Sequence, residues 1–166
     1  MKPVFFILLG LLSCSRAAFA LEALSRAEAD ALCARIETAL RPPQTAGYRL
    51  IRHSDLLEHE LESSGTLEIP EAGVIRLHQQ APEPRETVLD AASSRFPVPE
   101  RLLDPRLFRI ECFDEGGNYL LVLVPLRRDL SRIVGSVELR TDACGEKLKK
   151  IRLNAPDGGF TLLEIQ

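Results

Sequence analysis

The chain has 166 residues, 45% of them apolar, with 21 basic and 24 acidic side chains. That suits one core of ordinary domain size and is too apolar for a disordered chain. A net charge of −3 without a basic tract excludes nucleic acid as the main partner, because nothing would displace phosphate counterions. It equally excludes a polybasic grip on anionic membrane. Past the first twenty residues, the longest stretch free of Asp, Glu, Lys and Arg is Gly116–Leu126, eleven residues. A spanning helix needs roughly 20.

The first twenty residues read as a leader. Lys2 precedes an uncharged run from Pro3 to Ser15, and Ala18-Phe19-Ala20 is an A-x-A cleavage site, the pattern of a secretory signal peptide. Cleavage there leaves residues 21–166 as one domain of 166 − 20 = 146 residues, with charge 19 − 24 = −5 once Lys2 and Arg16 are gone. Leu11-Leu12-Ser13-Cys14 is also similar to a bacterial lipobox, in which Cys14 would be acylated and become the mature N-terminus. Both alternatives export the domain. Three further cysteines, Cys33, Cys112 and Cys144, show no C-x-x-C spacing, so neither a zinc knuckle nor a thioredoxin-like site is suggested. Cys33 falls at apolar helical spacing and reads as a small buried hydrophobe. A Cys112–Cys144 bridge is disfavoured, since an intervening strand puts them about two spacings of ~4.8 Å apart.

In chain order, Ser25-Arg26-Ala27-Glu28 is a capping box, predicting a helix that runs to about Leu40 and stops before Pro42-Pro43. Ala29, Leu32, Cys33, Ile36, Ala39 and Leu40 form its apolar face. Strands are predicted at Tyr48–His53, Leu57–Glu62, Thr66–Ile69, Val74–Gln79 and Thr87–Leu89, with Ser63-Ser64-Gly65 as a break. Phe96–Pro105 reads as an irregular connection with one helical turn at Glu100–Leu103. Leu107–Phe113, Tyr119–Pro125, Gly135–Thr141, Leu148–Asn154 and Phe160–Ile165 follow, joined by Gly/Asp/Asn turns that describe an antiparallel meander. One helix cannot cover both faces of so many strands. The expected fold is therefore mainly β, a curved antiparallel sheet forming an open half-barrel around the helix.

Catalytic chemistry is missing. His53-Ser54-Asp55 holds the residue types of a hydrolase triad, but on a strand Ser54 points away from its neighbours. His53, His59 and His78 lack metal-ligand spacing. Glu58, Glu60 and Glu62 read as a solvated strand face, and Gly116-Gly117 and Gly158-Gly159 as hairpin turns. No enzyme activity, metal or cofactor is expected. The inward alternates Leu67, Ile69, Ile75, Leu77, Phe108, Ile110, Leu121, Leu123, Val137 and Leu139, with Leu32 and Ile36 of the helix, are the candidate lining of an apolar cavity.

From Leu24 to Gln166 the sequence resembles the LolA/LolB-type lipoprotein carriers of Gram-negative periplasms. The matching residues are Tyr48 at the start of a strand, Ser64-Gly65-Thr66-Leu67 for S-G-x-L, Val74–His78, Pro82 and Asp90. Leu121, Leu123 and Pro125 follow for L-x-L-x-P, then Leu130, Ile133, Val137-Glu138-Leu139, Lys149–Leu153 and Asp157-Gly158. Departures are Leu50 where the family has Gln, Glu71-Ala72 where it has Arg-Pro, Asp90-Ala91 where it has Asp-Gly, and about sixteen residues in place of the lid. The resemblance implies a periplasmic, monomeric carrier or chaperone that shields the acyl chains of a lipoprotein or related lipid on the way to the outer membrane. It implies an inner-membrane donor and an outer-membrane acceptor as partners. Its alternatives are a LolB-like receptor anchored through Cys14, and a carrier of a glycolipid or pigment-linked acyl chain.

Overall fold

The computed structural model describes residues 21–41, 43–54, 58–71, 74–90 and 102–166. The expected signal peptide with Cys14 lies outside them, as do Asp55, Ala72, Ala91 and most of the segment expected in place of a lid. Helix α1 (Arg26–Ala39) opens on the capping box: Ser25 Oγ accepts from the Glu28 amide at 3.4 Å, and the Glu28 carboxylate accepts from the Ser25 amide at 2.9 Å. At its other end the Gln44 side-chain amide donates to the carbonyls of Ala39 and Arg41, closing the last turn before the first long strand. Orphan groups at both helix ends thus find side-chain partners.

The strands are β1 (Glu22–Ala23), β2 (Gln44–His53), β3 (Leu61–Ile69), β4 (Val74–Ala81), β5 (Arg85–Asp90), β6 (Phe108–Asp114), β7 (Tyr119–Pro125), β8 (Ser136–Thr141), β9 (Leu148–Asn154) and β10 (Phe160–Ile165). They form one antiparallel sheet in the order β1-β6-β7-β8-β9-β10-β2-β3-β4-β5, open at both edges. The two meanders, β2–β5 and β6–β10, join where β10 pairs with β2, Leu163 opposite Leu50. Turn chemistry sets the later hairpins. Gly116 and Gly117 take positive φ between β6 and β7, where Asp114 Oδ1 accepts the Gly117 amide. Asp142 Oδ1 accepts the amides of Glu146 and Lys147 between β8 and β9.

Three expectations need correction. A short helix that the sequence reading lacks, α2 (Arg128–Ser131), follows β7, its Arg127–Asp129 ion pair at the first turn and Val134 buried just beyond it; four residues are too few to show a helical period. Residues 58–60 are not strand, and the strand runs from Leu61 straight through Ser63-Ser64-Gly65. It survives there because β2 pairs with it on one side while a bulge at Ser64/Gly65 admits β4 on the other. A Cβ on Gly65 would run into the His78 carbonyl oxygen, so the glycine serves close strand approach rather than a turn.

The face that meets α1, the inner face, carries the main core. Leu32 and Ile36 pack with Phe108, Cys112, Leu121, Leu123, Val137 and Leu139, nearly all without solvent exposure. Burying each such aliphatic side chain stabilises the fold by about 1.5–3 kcal/mol. The outer face is a charged lattice: Arg49 reaches Glu62 at 2.6 Å and Glu164 at 3.5 Å, Lys150 reaches Glu164 at 2.7 Å, and Arg140 reaches Glu115 and Glu138.

Candidate functional site

Beyond the C-terminal end of α1 the described residues leave a cavity of about 760 Å³ on the inner face. Its wall comes from alternate residues of adjacent strands: Ala46, Leu50 and Arg52 on β2, Leu67 and Ile69 on β3, Ile75 and Leu77 on β4. Ile151 and Leu153 on β9 and Leu163 and Ile165 on β10 continue it. Alternation with period two is what puts them on one face. Ala39 and Leu40 close one side, so the end of the helix is part of the wall. Leu102 also lines the cavity and Leu103 is buried beside it, so the connection before β6 contributes to the cover.

Tyr48 occupies the same face, 3% exposed, with Gly65 and Ile165 as its cross-strand neighbours. Burial pushes its phenol above the ordinary value, so it stays neutral there. A smaller apolar cluster of Tyr48, Leu67 and Ile69, supported by Leu50, Ile75, Leu77 and Leu163, thus forms the floor. Polar groups sit at the rim: Arg52, Gln44, Thr161 and Gln166, with Glu146, Lys147 and Lys149 from the β8–β9 turn and the start of β9. That turn is held by Asp142, whose carboxyl lies below the usual range because backbone amides of Lys147 and Glu146 donate to it. Few polar groups around a large apolar surface suit an apolar guest.

The structure divides the twelve residues singled out by sequence. Leu67, Ile69, Ile75, Leu77 and Val137 line the cavity. Leu32 and Ile36 of α1, with Phe108, Leu121, Leu123 and Leu139 beneath it, are 0–1% exposed in the core and do not line the cavity, and Ile110 packs against that core. The sequence reading missed the wall from β2, β9 and β10, although Ala46-x-Tyr48-x-Leu50 and Ile151-x-Leu153 carry the same alternation as the residues it chose.

The other sequence candidates lie elsewhere. His53 stacks on Phe160 and faces Glu60 at 3.7 Å. His78 pairs with Glu68 at 3.4 Å on the outer face. Among the described residues, no group of three His, Cys, Asp or Glu side chains is placed to hold a metal ion, and no described helix is long and apolar enough to cross a membrane. Cys112 is buried on the inner face while Cys144 is exposed in the β8–β9 turn.

No protein-family model matches the sequence, and no curated protein matches it. Among solved structures the fold is similar to the LolA-superfamily protein NE2245 from Nitrosomonas europaea, at 8% identity and a TM-score of 0.41, covering 83% of this chain and 91% of that one. It is also similar to a chain of the crystal structure of MucB in complex with MucA(peri), at 14% identity and a TM-score of 0.46. A chain of the Pseudomonas aeruginosa MucA/MucB complex is similar at 13% identity and a TM-score of 0.44. This chain spans about half the length of those last two, 54% and 55%, while 83% of it is covered in each.

Proposed function

We propose that residues 21–166 form an exported, monomeric carrier that shields the acyl chains of a lipoprotein or related lipid in this cavity during passage to the outer membrane. In this reading the sheet bends as a half-barrel, and an inner-membrane donor and outer-membrane acceptor load and unload the cargo. The supporting observation is the cavity itself: about 760 Å³ walled by buried and half-buried Leu and Ile side chains on strands that carry ion pairs on their other face. Each exposed CH₂ costs ~0.8 kcal/mol in water, so a 16-carbon chain costs on the order of 12 kcal/mol. An apolar wall that faces a cavity offsets that cost by lending its surface to a guest. Binding is the role, and catalysis is not.

The test is displacement of a hydrophobic dye. The folded chain should bind bis-ANS, and palmitate should compete it off. Leu77→Glu and Leu163→Glu each put a charge in the wall and should weaken binding at least tenfold with the fold retained. Absence of dye binding by the folded chain, or binding by both variants as tight as by the unmutated chain, would remove the reading. Intact mass of the exported protein separates a chain beginning at Leu21 from one acylated at Cys14.

A further inference from the structure

We propose that Arg52 and Thr161 form an anion site at one end of the apolar cavity, and that the guest is an amphiphile whose carboxylate or phosphate head is joined to its acyl tail. The proposal rests on the carrier reading and narrows it, because the acylated cysteine of a lipoprotein carries ester and amide groups but no charge beside its tails. Charge distribution is the first observation. The whole chain has 21 basic side chains against 24 acidic ones. Around the cavity the balance reverses: among the described residues its charged lining is Arg52, Lys147, Lys149 and Glu146, three cations to one carboxylate. On the outer face of the same strands the cations are paired, Arg49 with Glu62 and Glu164, and Lys150 with Glu164. Among the described residues no carboxylate pairs with Arg52 or Lys149.

Register is the second observation. Arg52 is the last inward residue of β2, Thr161 on β10 stands directly opposite it, and Leu153 on β9 stands opposite Thr161. Cross-strand neighbours hold their Cβ atoms about 4.5–5.5 Å apart. One oxyanion can therefore take the guanidinium fork and the threonine hydroxyl together. The next inward row, Leu50, Leu163 and Ile151, is apolar, and Lys149 lies beyond it, about 13 Å along β9 from Leu153. A head held at Arg52 thus lays its tail along the apolar wall. Arg52, Leu153 and Thr161 also border a second hollow of about 320 Å³ that reaches Leu61 and Ile133, which are 55% and 45% exposed. Arg52 itself is exposed, so a charged head stays wet there while the tail is shielded. The carboxylate of that hollow, Asp157, accepts the Gly159 amide at 3.1 Å in the turn between β9 and β10.

The experiment loads the folded chain with the neutral dye N-phenyl-1-naphthylamine at pH 8 and displaces it with laurate, monododecyl phosphate or dodecanol, all twelve-carbon amphiphiles. Arg52→Gln should raise the concentration of the two anions needed for displacement by roughly three- to tenfold, a charge-assisted pair discounted for exposure, and leave that of dodecanol unchanged. Thr161→Val should do the same to a smaller degree, and Lys150→Gln on the outer face should alter none of the three. Added NaCl should weaken both anions relative to dodecanol on the unmutated chain, a comparison that needs no variant to fold. Millimolar inorganic phosphate should neither displace the dye nor remove the dependence on Arg52; if it removes that dependence, the site takes a free anion and the proposal falls. An equal effect of Arg52→Gln on all three amphiphiles, or none on any, overturns the proposal and leaves the carrier reading standing. So does an effect on the anions confined to Lys149→Gln. Failure of all three to displace the dye removes the carrier reading, and this proposal with it.

Discussion

The two halves of the inner face obey one sequence rule and come to opposite ends. Between β6 and β9, Leu121, Leu123 and Leu139 are fully excluded from solvent; across β2, β4 and β10, Leu50, Leu77 and Leu163 are only half-buried. Both sets are inward alternates of antiparallel strands, so periodicity does not distinguish them. Reach does. Fourteen helical residues span roughly 21 Å, about four strand spacings of ~4.8 Å, and the apolar stripe of α1 packs on β6 to β9. Among the described residues, the strands beyond that reach form the wall of the cavity.

The sharpest way to break this comparison is to place the same charge in each half. Leu121→Glu buries a carboxylate with no partner in the covered core. That should cost several kcal/mol, enough against a total of about 5–15 kcal/mol to abolish the folded circular-dichroism signal. Leu77→Glu should leave that signal intact and lose bis-ANS binding. The milder pair makes the contrast quantitative. Leu121→Ala should cost about 2–5 kcal/mol in urea unfolding, whereas Leu77→Ala, whose side chain already faces a cavity, should cost less than about 1.5 kcal/mol. Equal losses for the two would mean that the halves are packed alike.

Glycines offer the next test, one in each half. Gly145 sits at φ +70° in the β8–β9 turn, with Leu32 Cδ1 2.5 Å from where a Cβ would be. Gly65 lets β4 close on β3 at the bulge. Alanine at either position should destabilise by about 1–3 kcal/mol. Their effects on the cavity should differ. Gly65→Ala pushes apart two strands of the wall and should also weaken displacement of bis-ANS by palmitate, whereas Gly145→Ala acts first on the docking of α1.

These residues also show what could be read from the sequence. The capping box, the strands from β7 to β10 and their Gly/Asp turns were legible because each signal is local. The two-residue strand β1 and the four-residue helix α2 carry too few residues for any period. Ser63-Ser64-Gly65 looked like a turn because the composition is that of a turn; only pairing on both sides reveals a strand with a bulge. The cavity was half legible. Alternation named the inner face, but which part of it a helix covers depends on where α1 docks, and no local pattern records that.

The smallest expected effect lies on the outer face behind the cavity, where among the described residues no helix adds to the lattice of β2, β3, β9 and β10. The Glu62 carboxyl is held below its ordinary value of 4.5 by its hydrogen bonds from Arg49, and Glu164 is held below it by Lys150 first and Arg49 second. A carboxyl whose folded value is depressed binds its proton more readily in the unfolded chain. Its contribution is therefore fully present above the unfolded value and is lost as pH falls through the folded one. These pairs should contribute no change in stability between pH 7 and pH 5, and a decline that begins near pH 4.5 and continues below it. Arg49 and Glu62 are 42% and 55% exposed, so the pairing is screened and the change in unfolding midpoint should be slight. Urea titrations at pH 7, 5, 4 and 3 provide the measurement. Glu62→Gln and Glu164→Gln should each flatten the acid limb, and 1 M NaCl should shrink the difference from wild type. An acid limb unchanged in both variants would show that these strands are held by their backbone ladder and inner-face contacts alone.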